Sequence, residues 1–322
     1  MTRLKCRGYS LPLQRRIVDL AADLPFQAAR AKLYEHFRLE IPSEMIRQLT
    51  YHHARAIEQQ NPMPLEPKDP DGVPWVIAQM DGSMVPLVET DGSAKDRRKQ
   101  KRLCWNEYRL ALAYSKGKVD PIYNGTFGGV EDAGDRLYDC AQRAGLGSET
   151  RVHGLGDGAN WVADQMDRVF GPKGQFLVDF YHLCDYLAKA AKILEEGDPL
   201  PGRWLKKAKK VCRARGIVPI LKELKPFVEP SEIRDEEAPV RQCYRYLTNR
   251  PEHFDYRGAE RQKLPIGSGK VESGHRQVIQ VRLKRPGAWW KKENASCLIA
   301  LRMARLNGGW QTYWDQLQAK AA

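Results

Sequence analysis

A chain of 322 residues, 42% of them hydrophobic, can bury a sizeable core and is long enough for two or three domains at roughly 100 to 200 residues each, which excludes a small disulfide-stapled protein. Its formal charge of +13 at pH 7 is carried in blocks and favours a polyanionic partner, nucleic acid first. The seven cysteines are odd in number and form no CxxC pair, so they read as reduced intracellular thiols and not as a zinc ribbon. The opening residues are too poor in apolar side chains for a signal peptide, and no apolar run approaches the roughly 18 residues of a membrane span. A cytoplasmic protein with no membrane partner is expected.

Residues 11–59 read as helical throughout. Leu13, Ile17, Leu20, Ala21 and Leu24 recur at helical spacing, followed by Phe26, Ala29, Leu33 and Phe37. Ser43 is placed to cap a third helix carrying Ile46, Leu49 and Ile57. Three short helices with tight turns suit a helix-turn-helix whose last helix offers Arg47, Gln48, Tyr51, His52 and Arg55 to a DNA groove; an ordinary helical bundle has the same pattern. Pro62, Pro64, Pro67, Pro70 and Pro74 then mark a linker.

Beyond the linker the pattern turns to strands. Short apolar runs occupy 75–80, 84–88 and 108–114, with Asp91-Gly92 at the expected hairpin turn between the second and third. A helix over 130–144, an extended stretch over 151–156, a helix over 160–170 and an extended stretch over 176–179 follow. Residues 183–257 read as mostly helical and charged, broken by Pro199, Pro201, Pro219, Pro226 and Pro230. Gly267-Ser268-Gly269 punctuates the chain before a helix expected over 271–285, and a last amphipathic helix is expected over 294–306.

Four Asp-Gly pairs begin at Asp71, Asp81, Asp91 and Asp157, and taken singly each reads as a turn. Position separates two of them. Asp81 ends the first apolar strand and Asp157 ends the fourth, and in the order three strands, helix, strand, helix, strand these two ends lie side by side. Glu272 opens the late helix, where an acid also suits the helix dipole. A set of carboxylates without histidine or cysteine fits hard divalent cations, and two such ions roughly 3.5 to 4 Å apart can clamp the oxygens of a phosphoryl transfer. Gly267-Ser268-Gly269-Lys270 does not complete a phosphate-binding P-loop.

These residues together resemble a family. Asp81 in Met80-Asp81-Gly82-Ser83, Asp157 in Gly156-Asp157-Gly158-Ala159-Asn160-Trp161, Asp179-Phe180-Tyr181-His182, and Gly267-Ser268-Gly269-Lys270-Val271-Glu272-Ser273 followed by Arg282-Leu283-Lys284 look like a DDE transposase of bacterial insertion sequences, closest to the Mutator-related and Kra-type elements. The resemblance covers about residues 11–310, and its specificity lies in the combination. It implies an α/β fold: a ribonuclease H-like mixed sheet with flanking helices, an N-terminal helix-turn-helix and a helical insertion before the last core helix. The implied divisions are a helix-turn-helix domain over 1–60, a linker over 61–74, a catalytic core over 75–182 and 263–322, and an insertion over 183–262.

It further implies that Asp81, Asp157 and Glu272 hold Mg2+, or Mn2+ in its place, for cleavage at the transposon ends and strand transfer to target DNA. The partners implied are double-stranded terminal inverted repeats, target DNA and further copies of the chain. Asp179 and His182 match the family's Asp-x-x-His signature, either beside the chemistry or as a buried pair that holds the insertion to the core. A structure-selective nuclease of the same fold, or an inert DNA-binding regulator, are the rival readings.

Three basic blocks are candidates for a DNA track: Lys95, Arg97 and Arg98 with their neighbours, Lys206, Lys207 and Lys210 in the insertion, and Arg276, Arg282 and Lys284 after Glu272. Trp289 and Trp290 could stack on an unpaired base beside the last block, or anchor the end of the core helix.

Overall fold

The computed structural model describes residues 8–60, 70–90, 101–196 and 201–321. Lys95, Arg97, Arg98, the Asp91-Gly92 turn and residues 61–69 of the expected linker lie outside them.

A five-stranded mixed sheet organises the chain, with strand order β3-β2-β1-β4-β5. Its strands are β1 (Trp75–Thr90), β2 (Lys101–Ser115), β3 (Ile122–Thr126), β4 (Arg151–Gly156) and β5 (Gly174–Val178). The first three pair antiparallel, and β4 and β5 run parallel to β1. β4 is buried along nearly its whole length, as expected of a parallel strand covered on both faces. The two runs expected over 75–80 and 84–88 are one strand, so Asp81 and Gly82 sit inside β1 and pair with Leu110 and Arg109. The β2 ladder that runs through this pair overrides the turn preference of Asp-Gly.

Helices cover both faces. On one, α4 (Val130–Arg143) and α5 (Asn160–Phe170) pack against alternate residues of the central strands; Gly154 leaves room for the Met166 thioether, which an added Cβ would meet at 2.8 Å. On the other lies a late helix made of α11 (Gly269–Gly274), a π-helical turn (His275–Gln280) and α12 (Val281–Leu283). A π turn inside a helix often marks a functional position.

Between β5 and α11 the chain forms α6 (Phe180–Leu194), α7 (Arg203–Arg215), α8 (Val218–Leu224), α9 (Pro239–Asn249) and α10 (Tyr256–Arg261). Their apolar faces join the sheet in one continuous core through Leu183, Leu187, Cys212, Ile220, Leu247 and Tyr256.

At the N-terminus, α1 (Leu11–Asp23), α2 (Phe26–Phe37) and α3 (Ser43–Gln59) enclose a small core of Ile17, Ala21, Leu33, Ile46 and Leu49. Ser43 is the first residue of α3 and accepts a hydrogen bond from Gln27 at 3.2 Å; it is not the cap. The other side of α3 enters the main core through Tyr51, Ala54 and Ile57, against α13 (Lys292–Leu306). Polar contacts reinforce the junction: the buried Arg302 guanidinium donates to the Ala22 carbonyl at 2.7 Å and pairs with Asp23, which also pairs with Arg305 at 2.8 Å. A further helix, α14 (Gly309–Ala321), closes over α1 and the buried His53 of α3.

Candidate functional site: the acidic end of β1 and β4

The parallel ladder between β1 and β4 runs from Trp75 opposite Arg151 to Gln79 opposite Leu155. Registered residues of parallel strands share a face. Asp81, two residues beyond Gln79 in β1, lies on the face that carries Gln79 and that the late helix covers, while Asp157 lies just past the end of β4. The Gln79 amide oxygen accepts from the Val271 N–H at 3.0 Å, which fixes α11, and with it Glu272, over the same strand.

Each acid has its own surroundings. Asp81 is partly exposed; one oxygen accepts from the Gly82 N–H at 2.7 Å and the other lies 3.2 Å from His275 Nε2. The Lys284 ammonium stands nearby and donates to Ser83 Oγ at 2.7 Å. Burial pushes the pKa of Lys284 down, while the charge of Asp81 opposes that shift. Asp157 occupies the β4–α5 turn and accepts from the Ala159 N–H at 2.9 Å. Glu272 is exposed in the first turn of α11.

The helices between β5 and α11 reach this turn. Tyr246 of α9 donates its hydroxyl to the Asp157 main-chain carbonyl at 2.6 Å and stacks on Tyr186 with ring centroids 4.2 Å apart. Burial, with Asp157 beside it, drives the Tyr246 phenol far up, so it stays a donor. Gly158 adopts φ +88°, and an added Cβ would meet the Tyr246 hydroxyl at 2.8 Å, so only glycine fits there.

Asp179 is 3% exposed and caps α6. One oxygen accepts from the Tyr181 and His182 N–H groups at 2.6 and 3.1 Å, and the other accepts from the Ser268 N–H and hydroxyl, both at 2.5 Å. Both oxygens are thus committed to joining α6 to the Gly267-Ser268-Gly269 turn ahead of Glu272. The His182 ring lies against Tyr186 and Tyr246, with centroids 5.6 and 6.0 Å away. Asp179 ties the start of α6 to the turn ahead of α11.

The basic candidates divide by exposure. Gln48 and Arg55 are exposed on α3 and Arg47 is half-buried, and the three line an open cleft of about 470 Å3 with Tyr51 and His52. Arg47 pairs with Glu44, and Arg55 donates to Asn294 at 3.1 Å. Lys206, Lys207 and Lys210 are exposed on α7, Lys207 paired with Glu223 at 2.7 Å. Lys210 also borders an open cleft of about 810 Å3 that Arg213, Arg215 and Arg257 share. Arg276 is exposed beside the acids.

Two expected DNA contacts lie inside the protein. Arg282 is 3% exposed, donates to the Ala21 carbonyl at 3.2 Å and is held between the Phe26 and Trp290 rings, because the N-terminal helices close over α12. Trp290 is buried, donates its indole N–H to the Leu283 carbonyl at 3.0 Å and pairs with β1 beside Leu87. It is an anchor. Trp289 stays partly exposed, edge-on to Trp105.

The donors present suit a hard divalent cation in kind, since carboxylate oxygens are what Mg2+ and Mn2+ take. Asp81 is on the sheet, Asp157 in the turn after β4 and Glu272 on α11, and among the described residues no three His, Cys, Asp or Glu side chains are gathered around one point. Sequence reasoning missed His275 and Tyr246. The signal for His275 was its position three residues after Glu272 on the same helix; Tyr246, 89 residues from its partner, left none.

Among known proteins, a protein of Streptococcus gallolyticus described as "UPF0236 protein in vanSb 3'region" is 25% identical over 199 residues, covering 61% of this chain and 42% of that protein. The chain thus matches less than half the length of that relative. The Drosophila P element transposase strand transfer complex covers 96% of this chain and 81% of its own at 11% identity and a TM-score of 0.36, and nothing is drawn from a likeness that low. The profile of the uncharacterised protein family UPF0236 matches residues 144–316. That stretch is more than half of the chain and includes Asp157, helices α6 to α10 and Glu272, and the protein belongs to this family.

Proposed function

We propose that this protein is a metal-dependent DNA transposase that cuts phosphodiesters at the ends of an insertion sequence and joins the freed ends to target DNA. The observation that supports this reading is that Asp81 lies two residues beyond Gln79 and Asp157 two residues beyond Leu155, the last pair of the parallel β1–β4 ladder, and that Gln79 holds the helix bearing Glu272. The strand order, three antiparallel strands followed by two parallel ones, supports a ribonuclease H-like core. In this reading α1–α3 form the helix-turn-helix unit and α6–α10 the insertion.

Asp81, Asp157 and Glu272 hold the cation, Mg2+ or Mn2+. The bound ion would orient the attacking oxygen and neutralise charge on the scissile phosphate. The protein's own groups do the rest. Lys284, beside Asp81, offers a cation to a phosphate oxygen. Asp179 and Ser268 keep the Glu272 helix at its station, and Tyr246 keeps the Asp157 turn at its own. Exposed Gln48, Arg55, Lys206, Lys207, Lys210 and Arg276, with half-buried Arg47, contact DNA backbone or groove, with Trp289 as an edge against an unpaired base. Holding two DNA ends together calls for more than one copy of the chain.

The test offers a pre-cut end and a target duplex with Mg2+ or Mn2+. Asp81→Asn, Asp157→Asn and Glu272→Gln each lower cleavage and joining by at least about a hundredfold while the protein stays folded and binds DNA. Full activity in any folded variant removes that residue from the site. Cleavage without a joined product assigns a nuclease instead, and metal-indifferent DNA binding without cleavage assigns a regulator.

A further inference from the structure

His275 is 4% exposed, and neither ring nitrogen has a hydrogen-bond partner. Leaving such atoms bare in a protein interior is costly, so an imidazole kept this way beside an acidic site calls for a partner from outside the chain. Its Nε2 stands 3.2 Å from Asp81 Oδ2. The contact has the length of a hydrogen bond but not its direction. Two donors each bound about 2.1 Å from one ion, at right angles, stand about 3 Å apart, and the observed separation matches that spacing. His275 also begins the π-helical turn directly after α11, so the local widening of the helix occurs one turn beyond Glu272.

We propose that His275 Nε2 is a ligand of the same divalent cation as Asp81, so that the site is a mixed nitrogen and oxygen set. The proposal rests on the transposase reading only in placing a cation at Asp81. A nitrogen donor shifts preference toward Mn2+ relative to Mg2+, because imidazole favours the transition metal over the harder ion.

The experiment uses the full chain, labelled with 15N-histidine, and Mn2+ alone. Pulsed electron paramagnetic resonance reads nitrogen coupling at the bound ion, and titration calorimetry reads affinity. In the labelled parent a histidine nitrogen couples to Mn2+. His275→Asn and His275→Gln remove that coupling and weaken Mn2+ binding by about tenfold or more, with a smaller change for Mg2+. Binding that Asp81→Asn abolishes but that shows no nitrogen coupling in the parent overturns the role of His275 and leaves the carboxylate site standing. Coupling that persists in a folded His275 variant overturns it too, since another imidazole then binds the ion. Absence of coupling in the parent overturns the assignment even if both variants fail to fold. If the parent binds no Mn2+, or binds it regardless of changes at Asp81, Asp157 and Glu272, both this inference and the metal-site reading fail.

Discussion

The Asp179 carboxylate accepts four hydrogen bonds from two separate segments while almost completely buried; Asp81 accepts one from its own neighbour and faces solvent in part. These are opposite situations for the same side chain. Asp179→Ala leaves the first turn of α6 uncapped and the buried Ser268 donors unmet, and it is expected to cost about 2–4 kcal/mol of stability in urea denaturation. Asp81→Asn keeps the shape and an acceptor for the Gly82 N–H, and is expected to change stability by less than about 1 kcal/mol. Equal losses at the two positions would mean that Asp81 also supports the fold. The motif in the sequence made both acids visible and left the role of Asp179 open between chemistry and a buried tie, because its burial and its partners at Ser268 arise from residues 89 positions away.

At the scale of elements, the strand and helix order was legible because apolar period and punctuation are local. What failed was also physical. The Asp81-Gly82 pair reads as a turn until the β2 ladder runs through it, and β3, Ile122-Tyr123-Asn124-Gly125-Thr126, is short, carries two poor strand formers and owes its place to β2. Helix α14 begins at the second of two glycines and is rich in aromatics, and it is fixed by what it covers. That cover makes His53 informative. Its ring nitrogens stand 2.8 Å from the Tyr313 hydroxyl and 2.9 Å from the Gln14 amide oxygen. Burial, with His52 adding to it, holds its pKa down to about 3. In the unfolded chain the imidazole takes a proton near pH 6.5; the folded state refuses it until about pH 3. Between those values the unfolded state binds more protons, so stability falls as pH drops through that window and is retained above it. His153, also depressed by burial, acts in the same direction. His53→Gln is expected to be less stable than the parent at pH 7.5 yet to lose less between pH 6.5 and 4, read by denaturation at several pH values. An unchanged slope would assign the acid sensitivity elsewhere.

For the molecule as a whole, the excess of positive charge has two destinations that the sequence does not separate. Lys206 and Lys210 project from α7 into solvent, where a phosphate backbone can release its counterions to them. Arg282 is spent inside, gripping α1 and α2 from α12 between two aromatic rings, and burial lowers its pKa to about 10, still charged at neutral pH. The runs of basic residues were legible; which of them face outward depends on how the N-terminal helices close on the late helix, a contact across more than two hundred positions. Salt dependence distinguishes the two. Each phosphate contact contributes about 0.9 to the slope of log K against log salt. Lys206→Ala combined with Lys210→Ala is expected to reduce that slope for duplex DNA by about 1–2 with little change in stability. Arg282→Ala is expected to leave the slope alone and lower stability by about 1–3 kcal/mol, through the packing lost between Phe26 and Trp290. A reduced slope in a folded Arg282 variant would mean that the N-terminal helices open on DNA and release this guanidinium to a phosphate.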